Sequence, residues 1–99
     1  LGARLRQNLA ALDAALAALG EHAPVRRMRL EGGWYAMLEV PRTRTDEAWV
    51  LHLAEHAGAV VQPGYYFDAE PGLLVVSLLP PEEEFAPAIG RVVRRLHEG

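Results

Sequence analysis

The sequence predicts an α+β domain, in which a long N-terminal helix precedes a small, mostly antiparallel sheet of about four strands with helices packed against it. Three observations predict it. Leu5, Leu9, Leu12, Leu16 and Leu19 recur at 4-3-4-3 spacing, which is the period of one helix face. Four apolar, strand-like runs follow, each bounded by glycine or proline. Two further helical patterns separate and close them, giving the order helix, strand, strand, helix, strand, strand, helix.

Alanines fill the gaps between the leucines of the first helix, and alanine is the best helix former. Gly20 is expected to stop this helix, because glycine accepts the left-handed geometry of a helix end. The stripe could also seat a coiled coil, but two heptads are too few to require one. Docking against this domain or its parent chain is the expectation. Pro24 breaks the chain, and Val25 to Leu30 alternates in part, as an edge strand does. Glu31-Gly32-Gly33 reads as a turn, and Trp34 to Val40 as a strand that Pro41 closes. Asp46 to Ala57 reads as a helix with Trp49, Val50, Leu53 and Ala57 on its apolar face and Gly58 as its stop.

Ala59 to Gln62 is a short strand ending at Pro63-Gly64. Tyr65-Tyr66-Phe67 falls in a loop, followed by turn residues from Asp68 to Gly72. Leu73 to Leu79 is the clearest strand; only Ser77 interrupts its apolar run, so both its faces should be covered. Pro80-Pro81 leads into the last helix, with Glu82, Glu83 and Glu84 at the positive end of its dipole and Arg91, Arg94 and Arg95 near the negative end. Phe85, Ile89, Val92 and Leu96 form its buried stripe, and Pro87 with Gly90 predicts a kink.

Ninety-nine residues make one domain, residues 1–99. The net charge of −3 argues against nucleic acid as a partner, since phosphate neutralisation needs a basic footprint. The longest apolar stretch, Leu9 to Leu19, is interrupted by Asp13 and too short to span a bilayer, so no membrane is expected. There is no cysteine, which excludes disulfides and thiolate chemistry. All ten basic residues are arginine. Any Schiff-base chemistry needs a lysine from outside this chain. The chain begins at Leu1 without an initiator methionine or a charged leader; the expectation is a fragment of a longer, cytoplasmic protein.

His52-Leu53-Ala54-Glu55-His56 matches the H-x-x-E-H pattern of inverted zinc proteases. A catalytic zinc would need a third ligand from another element. Both histidines fall on the helix flank beside Trp49, which favours a solvated rim, and no metal is expected. His22 and His97 lie near element ends and read as surface residues. Arg26, Arg27 and Arg29 on an edge strand resist edge-to-edge pairing. Ser77 lacks the glycines of a nucleophile elbow and reads as a locally bonded hydroxyl. Tyr65-Tyr66-Phe67 either plugs one end of the domain or lines a site.

Several of these elements recur together in one known family. The long amphipathic helix, the hairpin through Glu31-Gly32-Gly33-Trp34-Tyr35, the helix leading to Val60-Val61-Gln62-Pro63-Gly64, the strand reaching Ser77 and the helix at Pro81-Glu82-Glu83-Glu84 follow in order. Together they resemble the C-terminal small domain of fold-type I pyridoxal-phosphate (PLP)-dependent aminotransferases, over essentially the whole chain. The resemblance implies that the PLP-binding lysine belongs to a preceding large domain of the same chain, with residues 1–20 as the connecting helix. It implies a domain that closes over an amino-acid or keto-acid-like substrate, with no turnover as an isolated fragment, in a parent that is a homodimer. Gly33, Trp34, Tyr35, Tyr65 and Tyr66 would line the active-site mouth as substrate-binding residues. The family places a carboxylate-binding arginine two residues before the strand serine, and here that position is Val75. Either another arginine substitutes, with Arg42 and Arg44 as loop candidates, or the substrate differs, or transamination is lost. The residues by themselves also fit a ferredoxin-like small-molecule-binding or regulatory module. A self-contained module should bury the Leu5–Leu19 stripe fully, whereas a small domain parted from its large domain should leave it partly uncovered.

Overall fold

The structure is a computed structural model that describes residues 2–30 and 33–99; the expected turn at Glu31-Gly32 lies outside the described residues. Three α-helices, α1 (Ala3–Ala17), α2 (Asp46–Ala57) and α3 (Glu82–Glu98), pack on a sheet of β1 (Arg26–Arg27), β2 (Tyr35–Glu39), β3 (Gln62–Pro63) and β4 (Leu73–Ser77). The strand order is β1-β2-β4-β3 and every pairing is antiparallel. This is the predicted α+β architecture, with β1 at an edge.

Where local chemistry sets an element, the expected boundaries hold. Thr45 caps α2 by accepting from the Ala48 N–H at 3.1 Å, and Gly58 ends it at φ 62°. The first helix stops at Ala17 and the next residues tighten, Leu19 and Gly20 donating to Leu16 and Ala17, before Gly20 turns at φ 95°. The last helix runs unbroken through Pro87 and Gly90. Both short strands are shorter than their sequence patterns. Beyond β1 the ladder continues only as the Met28 N–H donating to Met37, and Ala59 to Val61 precede β3 without joining it, although Val61 is buried in the core. Tyr65 to Phe67, expected in a loop, lies in a 3₁₀ turn over Gly64–Phe67.

Alternation along the strands divides the sheet into two unlike faces. Ala36 and Leu38 of β2, with Leu74 and Val76 of β4, join Trp49, Leu53, Phe85, Ile89, Val92 and Leu96 in one core beneath the helices. Val75 is as buried as these, at 2 % exposure, yet stands outside that cluster on the opposite face. Two polar groups tie the helices to the sheet. Asp46 accepts from the Gly72 N–H at 3.0 and 3.3 Å and so holds the turn that feeds β4. Asn8, fully buried in α1, donates from Nδ2 to the carbonyls of Leu78 (2.9 Å) and Pro80 (2.7 Å). The first helix also pins β1 through the Asp13 carboxylate, which accepts from Arg27 Nε at 2.6 Å and raises the arginine pKa.

The leucine stripe is only partly covered. Leu12 is fully buried, while Leu5, Leu9, Leu16 and Leu19 are partly buried and pack against the core. The stripe is therefore neither fully buried nor bare, between the two outcomes expected of a self-contained module and of a parted small domain. Asn8→Ala should lower stability by ~2–3 kcal/mol, because it strips two carbonyls of their donor inside the protein. Urea unfolding checks this: the midpoint should fall while the slope stays constant, and proteolysis should then begin in α1.

Candidate functional site

The face of the sheet turned away from the helices carries Tyr35 and Val75 among the residues that the sequence singles out. Cross-strand partners share a face. The register Met37↔Val75 and Gln62↔Val75 therefore puts Val75 at the centre of a row with Met37 and Gln62 on either side. The next row toward the C-terminal end of β4 pairs Tyr35 with Ser77, and the row at its other end pairs Glu39 with Leu73 and with Arg26. Ser77 Oγ accepts from the Leu79 N–H at 3.1 Å, the local bond expected of it.

An aromatic cluster closes over this face. Tyr35 lies 5.1 Å from Trp34 and 4.7 Å from Phe67 between ring centroids, and Trp34 lies 6.1 Å from Phe67. The first and last of these rings come from segments on opposite sides of β4, Tyr35 from β2 and Phe67 from the turn after β3. Their rings therefore meet over β4, the strand between those segments. The 3₁₀ turn that aims Phe67 depends on Gly64, where a Cβ would stand 2.8 Å from the Leu73 carbonyl oxygen, and on Asp68, which closes the turn at φ 59°.

Of the expected site residues, the structure brings the Trp34 and Tyr35 rings together, sets Gly33 at φ 84° beside the Tyr35 ring, and puts Val75 on the same sheet face as Tyr35. Tyr65 and Tyr66 go elsewhere. Tyr65 points to α2, its hydroxyl donating to Glu47 at 3.3 Å, and Tyr66 stacks edge-on against it in solvent. Desolvation first, then the Glu47 carboxylate, raises the Tyr65 pKa. The aromatic run thus divides: Phe67 covers the sheet, and Tyr65 edges a shallow cleft with Arg42, Thr43 and Glu47. A separate groove of about 530 Å³ runs between α3 and residues 58–61, lined by Val60, Val61, Phe85 and Ile89.

Neither loop arginine reaches Val75. Arg42 donates to the Pro71 carbonyl at 2.8 Å and lies against Gly72. Arg44 lies 5.2 Å above the Trp49 ring and donates to the Gly99 carbonyl at 3.0 Å. Arg26, on the same face as Val75, sits two strands away and is paired to Glu39 at 2.8 Å.

Of the two histidines, His56 is exposed as expected, whereas His52 is partly buried. The His52 and His56 rings are 4.5 Å apart, and His52 meets Trp49 edge-on at 5.8 Å. His52 Nε2 is buried without a hydrogen-bond partner. Burial lowers the His52 pKa, and Arg44, His56 and Arg95 lower it further against the opposing charge of Glu55. Among the described residues no group of three metal-ligating side chains assembles.

Comparison with known proteins points one way. No protein-family model matches the sequence, and no curated protein matches it. Solved structures do. The chain matches an aromatic aminotransferase from Pyrococcus horikoshii at 21 % identity and TM-score 0.74, over 94 % of this chain and 24 % of that one. It matches a multiply substituted aspartate aminotransferase from Thermus thermophilus at 27 % identity and TM-score 0.73, over 91 % and 23 %. A probable N-succinyldiaminopimelate aminotransferase from Thermus thermophilus matches at 22 % identity and TM-score 0.74, over 93 % and 24 %. The chain therefore spans about a quarter of the length of these aminotransferases, and its fold is that of the C-terminal small domain of the fold-type I enzymes.

The lowered His52 pKa has a definite sign for stability. The unfolded state takes up the proton near 6.5 while the folded state still resists it, so His52 costs nothing above that value and erodes stability as pH falls below it. Thermal unfolding at pH 7.5 and pH 5 should show a smaller drop in His52→Gln than in the wild type. An equal drop in both would place the acid-sensitive group elsewhere.

Proposed function

We propose that this chain is the small domain of a PLP-dependent aminotransferase, where it closes over the active site and shapes the substrate pocket. The observation that supports this most is the backbone likeness to three aminotransferases over more than nine-tenths of this chain and about a quarter of theirs. The incompletely buried leucine stripe is consistent with it, because its outer margin offers the preceding large domain some apolar surface. In this reading residues 1–20 connect the two domains, and the parent is a cytoplasmic homodimer acting on an amine and a keto acid.

The residues present do not fit the cofactor itself. PLP enzymes of this kind hold the cofactor through a lysine, and none of the 99 residues is one. The covalent chemistry therefore belongs to the large domain. What this chain contributes is a wall: closure of such a domain excludes water and completes the site. In this reading Gly33, Trp34 and Tyr35, which lie side by side, form part of that wall, and the buried Val75 backs it from within the sheet. Tyr65 and Tyr66 would stand at the outer rim.

Two measurements test the reading. The isolated chain should transfer no amino group between a keto acid and any amine. In the full-length enzyme, substrate should change the tryptophan fluorescence through Trp34, which is 41 % exposed, and not through Trp49, which is fully buried. Trp34→Phe should therefore remove this domain's share of the signal. Turnover by the isolated chain, or a signal indifferent to Trp34, would contradict the proposal.

A further inference from the structure

We infer that an extended, apolar stretch of the parent chain, preceding these 99 residues, lies in the groove between α3 and residues 58–61 and adds a fifth strand to that edge of the sheet. The inference rests on the small-domain reading. This chain spans 24 % of the Pyrococcus enzyme it resembles, so on that reading most of the polypeptide precedes this domain.

The first supporting observation is a strand without a partner. Residues 60–63 alternate in burial as a strand does, with Val61 and Pro63 inside and Val60 and Gln62 outside. Only Gln62 and Pro63 pair with β4. The backbone directions follow from the ladder. Leu78 donates to Trp34 on the β2 side, which leaves the odd-numbered residues of β4, Val75 among them, to bond on the β3 side. Gln62, opposite Val75, therefore bonds inward, and the N–H and C=O of Val61 turn to the open edge. No described residue bonds to either group.

The second observation is the groove beside this edge. Phe85, Ala88 and Ile89 of α3 form one wall, Val60 and Val61 the other, around about 530 Å³. Val60 stands 88 % exposed at its lip. An added strand would satisfy the Val61 backbone and send alternate side chains into this space, which takes apolar ones.

The third observation selects the occupant. The opposite edge of the sheet is guarded by charge: Arg26 is held by Glu39 and Arg27 by Asp13. From Gly58 to Gly64 no residue is charged. A bare apolar edge invites uncontrolled pairing, so this one needs a cover that is always present. A stretch of the same polypeptide meets that need, because covalent linkage gives it a high effective concentration. A second copy does not meet it. Two copies related by a two-fold axis bring concave groove to concave groove, and neither is filled.

The test uses the full-length protein with the photo-reactive residue p-benzoylphenylalanine in place of Val60, an exposed position that tolerates the change. After irradiation the cross-linked product should have the mass of one chain, and its peptides should join residue 60 to a stretch preceding this domain. In the unsubstituted full-length protein, the Val61 amide should exchange at least ~100-fold more slowly than an open amide. A link to a second copy, to another protein, to residues of this domain alone or to nothing would overturn the inference, as would a freely exchanging Val61 amide. Any of these results in a longer chain that carries PLP leaves the small-domain reading standing. A natural protein no longer than these 99 residues would overturn both.

Discussion

Everything in this domain depends on β4 being paired along both edges. A strand with neighbours on each side cannot slip by one residue without turning every side chain to the wrong face. The ladder from Tyr35↔Ser77 to Glu39↔Leu73 holds β4 against β2, and Gln62↔Val75 holds it against β3. Leu74 and Val76 are thereby committed to the helical core, and Val75 to the face opposite. The remaining contacts support that arrangement from its ends. Asp46 fixes the turn entering β4, and Asn8 grips the chain as it leaves.

How much of this was legible in the sequence follows from how local each cause is. The limits of α2 could be read because Thr45, Asp46 and Gly58 act within one turn of themselves. The stripe of α3 was equally plain, and the structure adds Val93 to it. The short strands were over-read because β-pairing needs a partner, and neither Arg29 nor Val60 has one in the ladder. The 3₁₀ turn was missed for a similar reason: it needs Gly64 to approach Leu73, a residue from another strand.

The site shows the same division. Trp34, Tyr35 and Val75 lie on strands or at their ends, and alternation alone places the last two on one face. Nothing in Tyr65-Tyr66-Phe67 says which ring turns inward, because that choice is made by where β3 ends and how its turn folds back. Phe67 is the member that covers the sheet, and Tyr65 is drawn aside by Glu47. The burial of His52 Nε2 was likewise invisible, since Arg44 and the end of α3 close around it from other parts of the chain.

On the proposed reading, this domain is one part of a larger enzyme that supplies the lysine it lacks. The most direct test is the intact mass of the natural protein, captured from its source with an antibody raised against this chain. The expected result is a polypeptide about four times as long, bearing PLP on a lysine outside these 99 residues. A natural protein no longer than this chain would contradict it, because no residue would then remain to hold the cofactor.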